Sequence, residues 1–274
     1  MSDLADLSDL IADWPSPDLT GLAVTSPTAT LGLGGDTSRV SRIASISKIS
    51  AALAAMVAVE EGTITVEDPA GPPGSTVRHL LAHAAGYAFD GPDTIATVGS
   101  RRIYSNTGIE VFADHLARAA GMPYETYQRE AVFVPLGMAN TRLEGSPAHG
   151  VHSNVDDLLR LARELLSPTL VTEGTFSEAV TPQFPDLAGV IPGFGRHDPS
   201  PWGLGIEIRG DKQPHWTARD NSPRTFGHFG GTGTYLWVDP DRELAAVAIS
   251  GVDFDSWAAE IWPRTNQTLL DRFG

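Results

Sequence analysis

Residues 45–62, SISKISAALAAMVAVEEG, restrict the fold more than any other part of this chain. The segment is alanine-rich and ends at Gly62, so it reads as one long helix. Nearly every face of that helix is apolar. Such a helix cannot lie on a surface with one side in water; other elements must enclose it in the middle of the molecule. The chain has 274 residues, of which 41% are hydrophobic and 19% charged. That is enough for one large domain or two interlocked ones to provide the enclosure.

The flanking pattern predicts what does the enclosing. Residues 4–14 carry Leu and Ile at helical spacing until Pro15 and Pro17 stop them. Residues 21–24 and 29–33 are strand-like and separated by a Ser-Pro turn, the pattern of a hairpin. From 77 to 166 the reading is mostly helical, with amphipathic stretches at 109–120, 124–133 and 155–166. The last of these follows a capping box at Ser153 and Asp156. Residues 169–200 are rich in Pro and Gly and read as a long loop. Strands return at 203–208, 234–238 and 244–249, the last two joined by Asp239-Pro240-Asp241, and a helix with Pro263 inside it covers 256–272.

Strands therefore lie at both ends and helices in the middle. The expected class is α+β: an antiparallel sheet built from both chain ends, flanked by terminal helices, with a mostly helical domain inserted. On that division residues 1–47 and 200–274 form the sheet domain and 48–199 the helical one. The active site is expected at their interface, where clefts commonly hold ligands.

Composition excludes several classes of function. A formal charge of −15, from 34 acidic against 19 basic residues, repels phosphate backbones, so no nucleic-acid partner is expected. The absence of cysteine rules out disulfides, thiolate metal sites and a cysteine nucleophile. No apolar run approaches the roughly 20 residues of a membrane span. The start MSDLADLSDLIADW lacks the basic opening and unbroken apolar run of a secretory signal, so a soluble, cytoplasmic protein is expected. Only Lys48 and Lys212 among the 19 basic residues are lysines. Lysine gives up its proton when buried and arginine does not, which singles out Lys48 in its apolar helix.

Three constellations carry chemistry. Ser45-Ile46-Ser47-Lys48 places a hydroxyl and an amine three residues apart on one helix face. The helix start adds free N–H groups suited to a developing oxyanion. Alone, the pattern also fits a helix cap followed by a solvated lysine. Tyr104-Ser105-Asn106 offers a phenol whose pKa a nearby ammonium can lower into the range of a general base. Asn106 would present its amide to the substrate carbonyl and to Lys48. An ordinary helix cap accounts for the same residues. Gly227-His228-Phe229-Gly230-Gly231-Thr232-Gly233 precedes a strand, and its glycines admit a ligand close to the backbone. An N–H there would complete an oxyanion hole with that of Ser45.

In this order the three motifs resemble the serine β-lactamase and penicillin-binding-protein superfamily. Tyr-x-Asn as second motif is similar to the class C branch with its DD-peptidases and β-lactamase-like esterases. Supporting segments are Arg42-Ile43-Ala44-Ser45, residues 76–87, Pro135-Leu136-Gly137-Met138 and Trp202-Gly203-Leu204-Gly205. The resemblance implies that Ser45 attacks an activated carbonyl while Lys48 and Tyr104 handle its proton. It implies an oxyanion held by the N–H groups of Ser45 and Gly231, and substrate contacts from Asn106, His228 and Gly230. The product is an acyl-enzyme that water hydrolyses, with no cofactor or metal. His228 stands where β-lactamases usually have lysine. A partly charged histidine weakens carboxylate recognition, which favours a small ester or amide substrate over a β-lactam.

The rival reading is a non-catalytic binding or regulatory protein that retains the fold. His79 and His83, four apart, lack the glutamate of a zinc-protease helix, and Asp156 and Asp157 read as helix N-terminal charges. Oligomeric state has no signature in this sequence.

Overall fold

The computed structural model of the protein describes residues 4–274; the acidic start at residues 1–3 lies outside them. The chain opens with β1 (Ala5–Asp6), the single turn α1 (Ser8–Ile11) and the hairpin of β2 (Gly21–Thr25) and β3 (Thr30–Gly35). After β4 (Ser41–Arg42) come α2 (Ser47–Glu60), α3 (Val77–Leu81), α4 (Asn106–Ala120) and α5 (Tyr124–Gln128). Next are β5 (Arg142–Leu143), β6 (Val151–Ser153), α6 (Val155–Leu166), α7 (Glu173–Ala179), β7 (Gly189–Ile191) and β8 (Gly195–His197). The strands β9 (Glu207–Ile208), β10 (Phe226–Gly230), β11 (Thr234–Asp239) and β12 (Leu244–Ile249) lead to the final helix α8 (Ser256–Phe273).

Seven strands form the main sheet in the order β1-β3-β2-β12-β11-β10-β9. The first and last parts of the chain meet where β12 pairs antiparallel with β2, Ala245 opposite Thr25 and Ile249 opposite Gly21. Every pairing is antiparallel except that of β1 with β3. The sheet is buried on both faces. Val247 and Ile249 point with Leu236 and Val238 into a core shared with α2, α4 and α6. Leu244, Ala246 and Ala248 point with Tyr235 and Trp237 toward Trp262 and Leu269 of α8. Strand geometry alternates the side chains between the two cores.

Helix α2 is the central helix its composition requires, buried from Ser47 to Met56 and again at Ala58. Its small residues serve close packing. At Gly205, with φ +76°, a Cβ would come within 2.9 Å of the Cβ of Ala52. Neither position tolerates a larger side chain without moving the segment that carries Trp202.

Several local expectations are corrected. The helix expected over 4–14 shrinks to α1, because the backbone of Ala5 and Asp6 pairs instead with Gly32 and Leu33. The long loop at 169–200 contains α7, capped by Thr172, and the β7–β8 hairpin. The strand at 203–208 is confined to Glu207 and Ile208, since the Gly203 N–H turns back onto the Ile206 carbonyl. The glycine-rich stretch at 227–233 does not merely precede a strand: β10 occupies its first part, and only Gly231 to Gly233 reverse the chain. The cap of α6 is Asn154 accepting from the Asp157 N–H, one residue later than the expected box. Ser153 is engaged with Thr141. Asp157 is not a solvated helix charge; it is buried and accepts from the Asn140 N–H and the Thr141 hydroxyl.

Candidate active site

Ser45 lies in a tight helical turn, Ala44–Ile46, that leads directly into α2. Ala44 has φ +46°, an uncommon conformation for a residue with a Cβ, so the surrounding structure must impose it. Three contacts do so. The Ile43 N–H donates to Val151, the Thr234 hydroxyl donates to the Ile43 carbonyl, and the Ser47 hydroxyl donates to the Ala44 carbonyl. Gly230 presses on the same turn: a Cβ there would sit 2.4 Å from both the Ile43 oxygen and the Thr234 hydroxyl. The structure thus places Gly230 behind the Ser45 turn, and it is Gly231 that lines the cavity.

Lys48 is fully buried. Its Nζ lies 2.7 Å from Asn106 Oδ1, 2.9 Å from the Ala148 carbonyl and 3.3 Å from Ser45 Oγ. All three partners are uncharged. Burial pulls the amine down to about 7, with only partial opposition from the more distant charges of Asp90 and Glu110. A neutral amine has two hydrogens for the two oxygens and one lone pair left for the Ser45 hydroxyl.

Tyr104 donates from its hydroxyl to Ser45 Oγ at 2.7 Å. Burial, joined by the negative charges of Glu207 and Asp90, pushes this phenol above its usual value and outweighs the hydrogen bond with Ser45. This corrects the expectation of a lowered phenol pKa: Lys48 stacks 4.6 Å from the ring centre but does not make Tyr104 acidic. The titrating partner of Ser45 at neutral pH is the lysine.

Asn106 opens α4, whose N-cap Ser105 accepts from the Gly108 N–H. The amide is held from both ends, its oxygen by Lys48 and its nitrogen by Asp90 at 2.9 Å. It therefore positions Lys48 more directly than it faces the cavity. His228, on β10, contacts the Phe229 carbonyl through Nδ1 at 2.6 Å, which fixes the proton there and leaves Nε2 as an acceptor without a partner among the described residues. Burial and then the charge of Lys48 pull it down to about 3. His228 is neutral at physiological pH, not partly charged as its type predicts.

Among the described residues, no hydrogen bond takes up the backbone N–H of Ser45 or of Gly231. Both residues line a cavity of about 170 Å³ that also contains Tyr104 and His228. The sequence-predicted residues Ser45, Lys48, Tyr104, Asn106, His228 and Gly231 thus converge on one place. His79 and His83 part company: His79 closes a capping box with Thr76, and His83 lies buried between the rings of Tyr104 and Trp202.

Sequence reasoning missed a second polar cluster on the cavity wall. Glu207 is buried and accepts from Lys212 at 2.8 Å, His215 at 3.1 Å and the Trp216 indole at 2.8 Å. Burial alone would raise its carboxyl, but the charge of Lys212, with the hydrogen bonds from His215 and Lys212, outweighs this and holds it well below the usual carboxylate range. One signal was available, since Lys212 is the only other lysine. Arg102 was also missed. It donates to the carbonyls of Ser200, Gln183, Phe184 and Ala82 and so fastens the chain that carries β7 and β8.

A serine, lysine and tyrosine joined at one helix start, beneath the edge of a sheet made from both chain ends, define the fold and site of β-lactamase-like and penicillin-binding-protein-like serine hydrolases. The Beta-lactamase family model matches residues 34–264, and the chain belongs to that family. A β-lactamase from Mycobacterium bovis is 46% identical and superimposes with a TM-score of 0.95 over 97% of this chain and 98% of that one. EstCE1, a hydrolase with promiscuous acyltransferase activity, shares the fold at 18% identity and a TM-score of 0.78, over 96% of each chain. The D-alanyl-D-alanine-carboxypeptidase/endopeptidase AmpH of Escherichia coli (strain K12) is 25% identical over 185 residues. That match takes in 56% of this chain and 46% of AmpH, so the chain aligns with about half the length of this relative. No helix among the described residues is long and apolar enough to cross a membrane.

Proposed function

We propose that the protein is a serine hydrolase that forms an acyl-enzyme on Ser45 and hydrolyses small esters or amides, with β-lactams as secondary substrates. The observation that carries this is the pair of contacts on Ser45 Oγ, from Tyr104 at 2.7 Å and Lys48 at 3.3 Å, with Lys48 poised near neutrality. A general base works best with a pKa close to the operating pH.

The neutral Lys48 amine takes the Ser45 proton as Oγ attacks the substrate carbonyl. The new C–O⁻ points at the free N–H groups of Ser45 and Gly231, which stabilise it without reorganising. As the tetrahedral intermediate collapses, the Tyr104 phenol protonates the leaving-group oxygen or nitrogen and is itself reprotonated from the Lys48 ammonium. Water then enters, gives its proton to the same pair, and releases the acid from Ser45. Asn106 and the Ala148 carbonyl hold Lys48 in place throughout.

The test is intact mass after brief exposure to a fluorophosphonate, run beside Ser45→Ala. One adduct on the wild type and none on the variant is expected. Ester turnover should vanish in the variant while its thermal unfolding curve stays near that of the wild type. Unchanged turnover in Ser45→Ala would sink the reading.

A further inference from the structure

We propose that the cavity beside Ser45 accepts an uncharged, apolar acyl group and rejects one ending in a carboxylate, with Glu207 as the residue that sets this selection. The inference deepens the reading of Ser45 as the acylated residue and rests on it.

The walls are Phe89, Val190, Ile191, Trp202, Phe229 and Phe254, aromatic and aliphatic surface that favours hydrocarbon. At about 170 Å³ the cavity is smaller than the ~300 Å³ from which drug-sized ligand pockets begin, so it suits a short chain. Neither a lysine nor an arginine lines it. The cations around it are already engaged: Arg101 and Arg196, in the adjoining cleft beyond Phe89 and Val190, are held by the Ile95 carbonyl and by Asp198. Arg102 is spread over four carbonyls, and Lys48 is held by Asn106, Ala148 and Ser45. Lys212 is held by Glu207 and by the carbonyls of Pro201 and Ile208. His228 offers an unpartnered lone pair, which welcomes a donor and repels an anion. A carboxylate entering here would lose its water and find no counter-charge, which is costly.

Glu207 is what keeps the wall neutral. It lines the cavity, and its negative charge cancels that of Lys212, whose Nζ lies 6.0 Å from the centre of the Trp202 ring. Without that charge Lys212 would be a buried amine among uncharged oxygens, as Lys48 is, and wherever the pH is low enough for it to keep its proton an uncompensated cation would stand beside the acyl pocket and attract the anion now excluded.

The test compares two esters with six-carbon acyl chains, p-nitrophenyl hexanoate and mono-p-nitrophenyl adipate, by kcat/KM. The wild type should favour the hexanoate by about a hundredfold, the scale of leaving one charged group unpaired. In E207Q the adipate-to-hexanoate ratio, read at pH 6 so that the stranded Lys212 keeps its proton, should rise by about tenfold. In E207Q/K212M, which removes both charges, it should return to the wild-type value. Equal rates on the two esters in the wild type overturn the selection. A ratio unmoved in E207Q, with both rates lowered alike, assigns Glu207 a purely structural role and overturns its part. Should E207Q not fold, a raised adipate ratio in the double variant has the same consequence, because no free cation is left to explain it. Failure of the wild type both to hydrolyse the hexanoate and to take up a fluorophosphonate refutes the acyl-enzyme reading itself, and the selection with it.

Discussion

Lys48 and Lys212 are both buried beside the aromatic rings around Ser45, one 4.6 Å from the centre of Tyr104 and the other 6.0 Å from that of Trp202. Their surroundings differ in one respect. Lys48 touches only uncharged oxygens, whereas Lys212 touches a carboxylate. Burial without a counter-ion lowers the cost of losing a proton, so Lys48 titrates near neutrality, as its proposed role of base requires. An ion pair in the same kind of setting keeps both partners charged and makes them a structural unit. The contacting partner, not the depth of burial, decides whether a buried lysine can give up its proton near neutral pH or stays paired and holds a wall together.

The comparison breaks most visibly in kinetics. Lys48→Met should lower kcat/KM for an ester by about 10²–10⁴-fold, the usual worth of a positioned general base. Lys48→Arg should not restore it, because arginine keeps its proton. Substantial activity in Lys48→Arg would move the base elsewhere. Lys212→Met should act on stability instead, removing about 3–5 kcal/mol of unfolding free energy by stranding Glu207. Urea unfolding of the two variants side by side reads this out, and a smaller loss from Lys212→Met than from Lys48→Met would invert the assignment.

A smaller effect sharpens the same contrast. The pH profile of kcat/KM should rise through about 7 as Lys48 loses its proton and level off above it. A rise centred near 10 would mean that the lysine titrates as if in water. The effect that is smallest at any one pH step concerns His228, whose pKa near 3 lies below the roughly 6.5 of an unfolded histidine. Between those values the unfolded chain binds a proton that the folded one refuses, so stability is present above about 6.5 and is lost as the pH falls toward 3. His228→Asn should reduce the slope of unfolding free energy against pH in that window by about 1.4 kcal/mol per pH unit. An unchanged slope would show that His228 is protonated in the folded state.

Legibility in the sequence followed the range of the interactions. The central helix, the hairpin of β2 and β3, the strand Leu244–Ile249 and the helix Val155–Leu166 were readable, because composition and short-range periodicity specify them. The strand Phe226–Gly230 was hidden by its glycines, which weaken strand propensity. Their reason is the Ser45 turn pressed against Gly230, nearly two hundred residues away in the chain. The N-terminal helix was overextended because periodicity cannot report that the edge of β3 will claim the backbone of Ala5 and Asp6.

For the site the same boundary holds. By itself the sequence determined the chemical types and their order: a serine with a lysine three residues on, a tyrosine with an asparagine two residues on, and a histidine among glycines. Helix geometry and local turn chemistry follow from such spacing. Only the tertiary structure decided the electrical state of each group. It surrounded Lys48 with neutral oxygens, kept Tyr104 a phenol, stripped His228 of charge and joined Glu207 to Lys212. The physical reason is that a proton's affinity depends on dielectric and on charges a few ångströms away. In a folded chain those neighbours come from distant parts of the sequence.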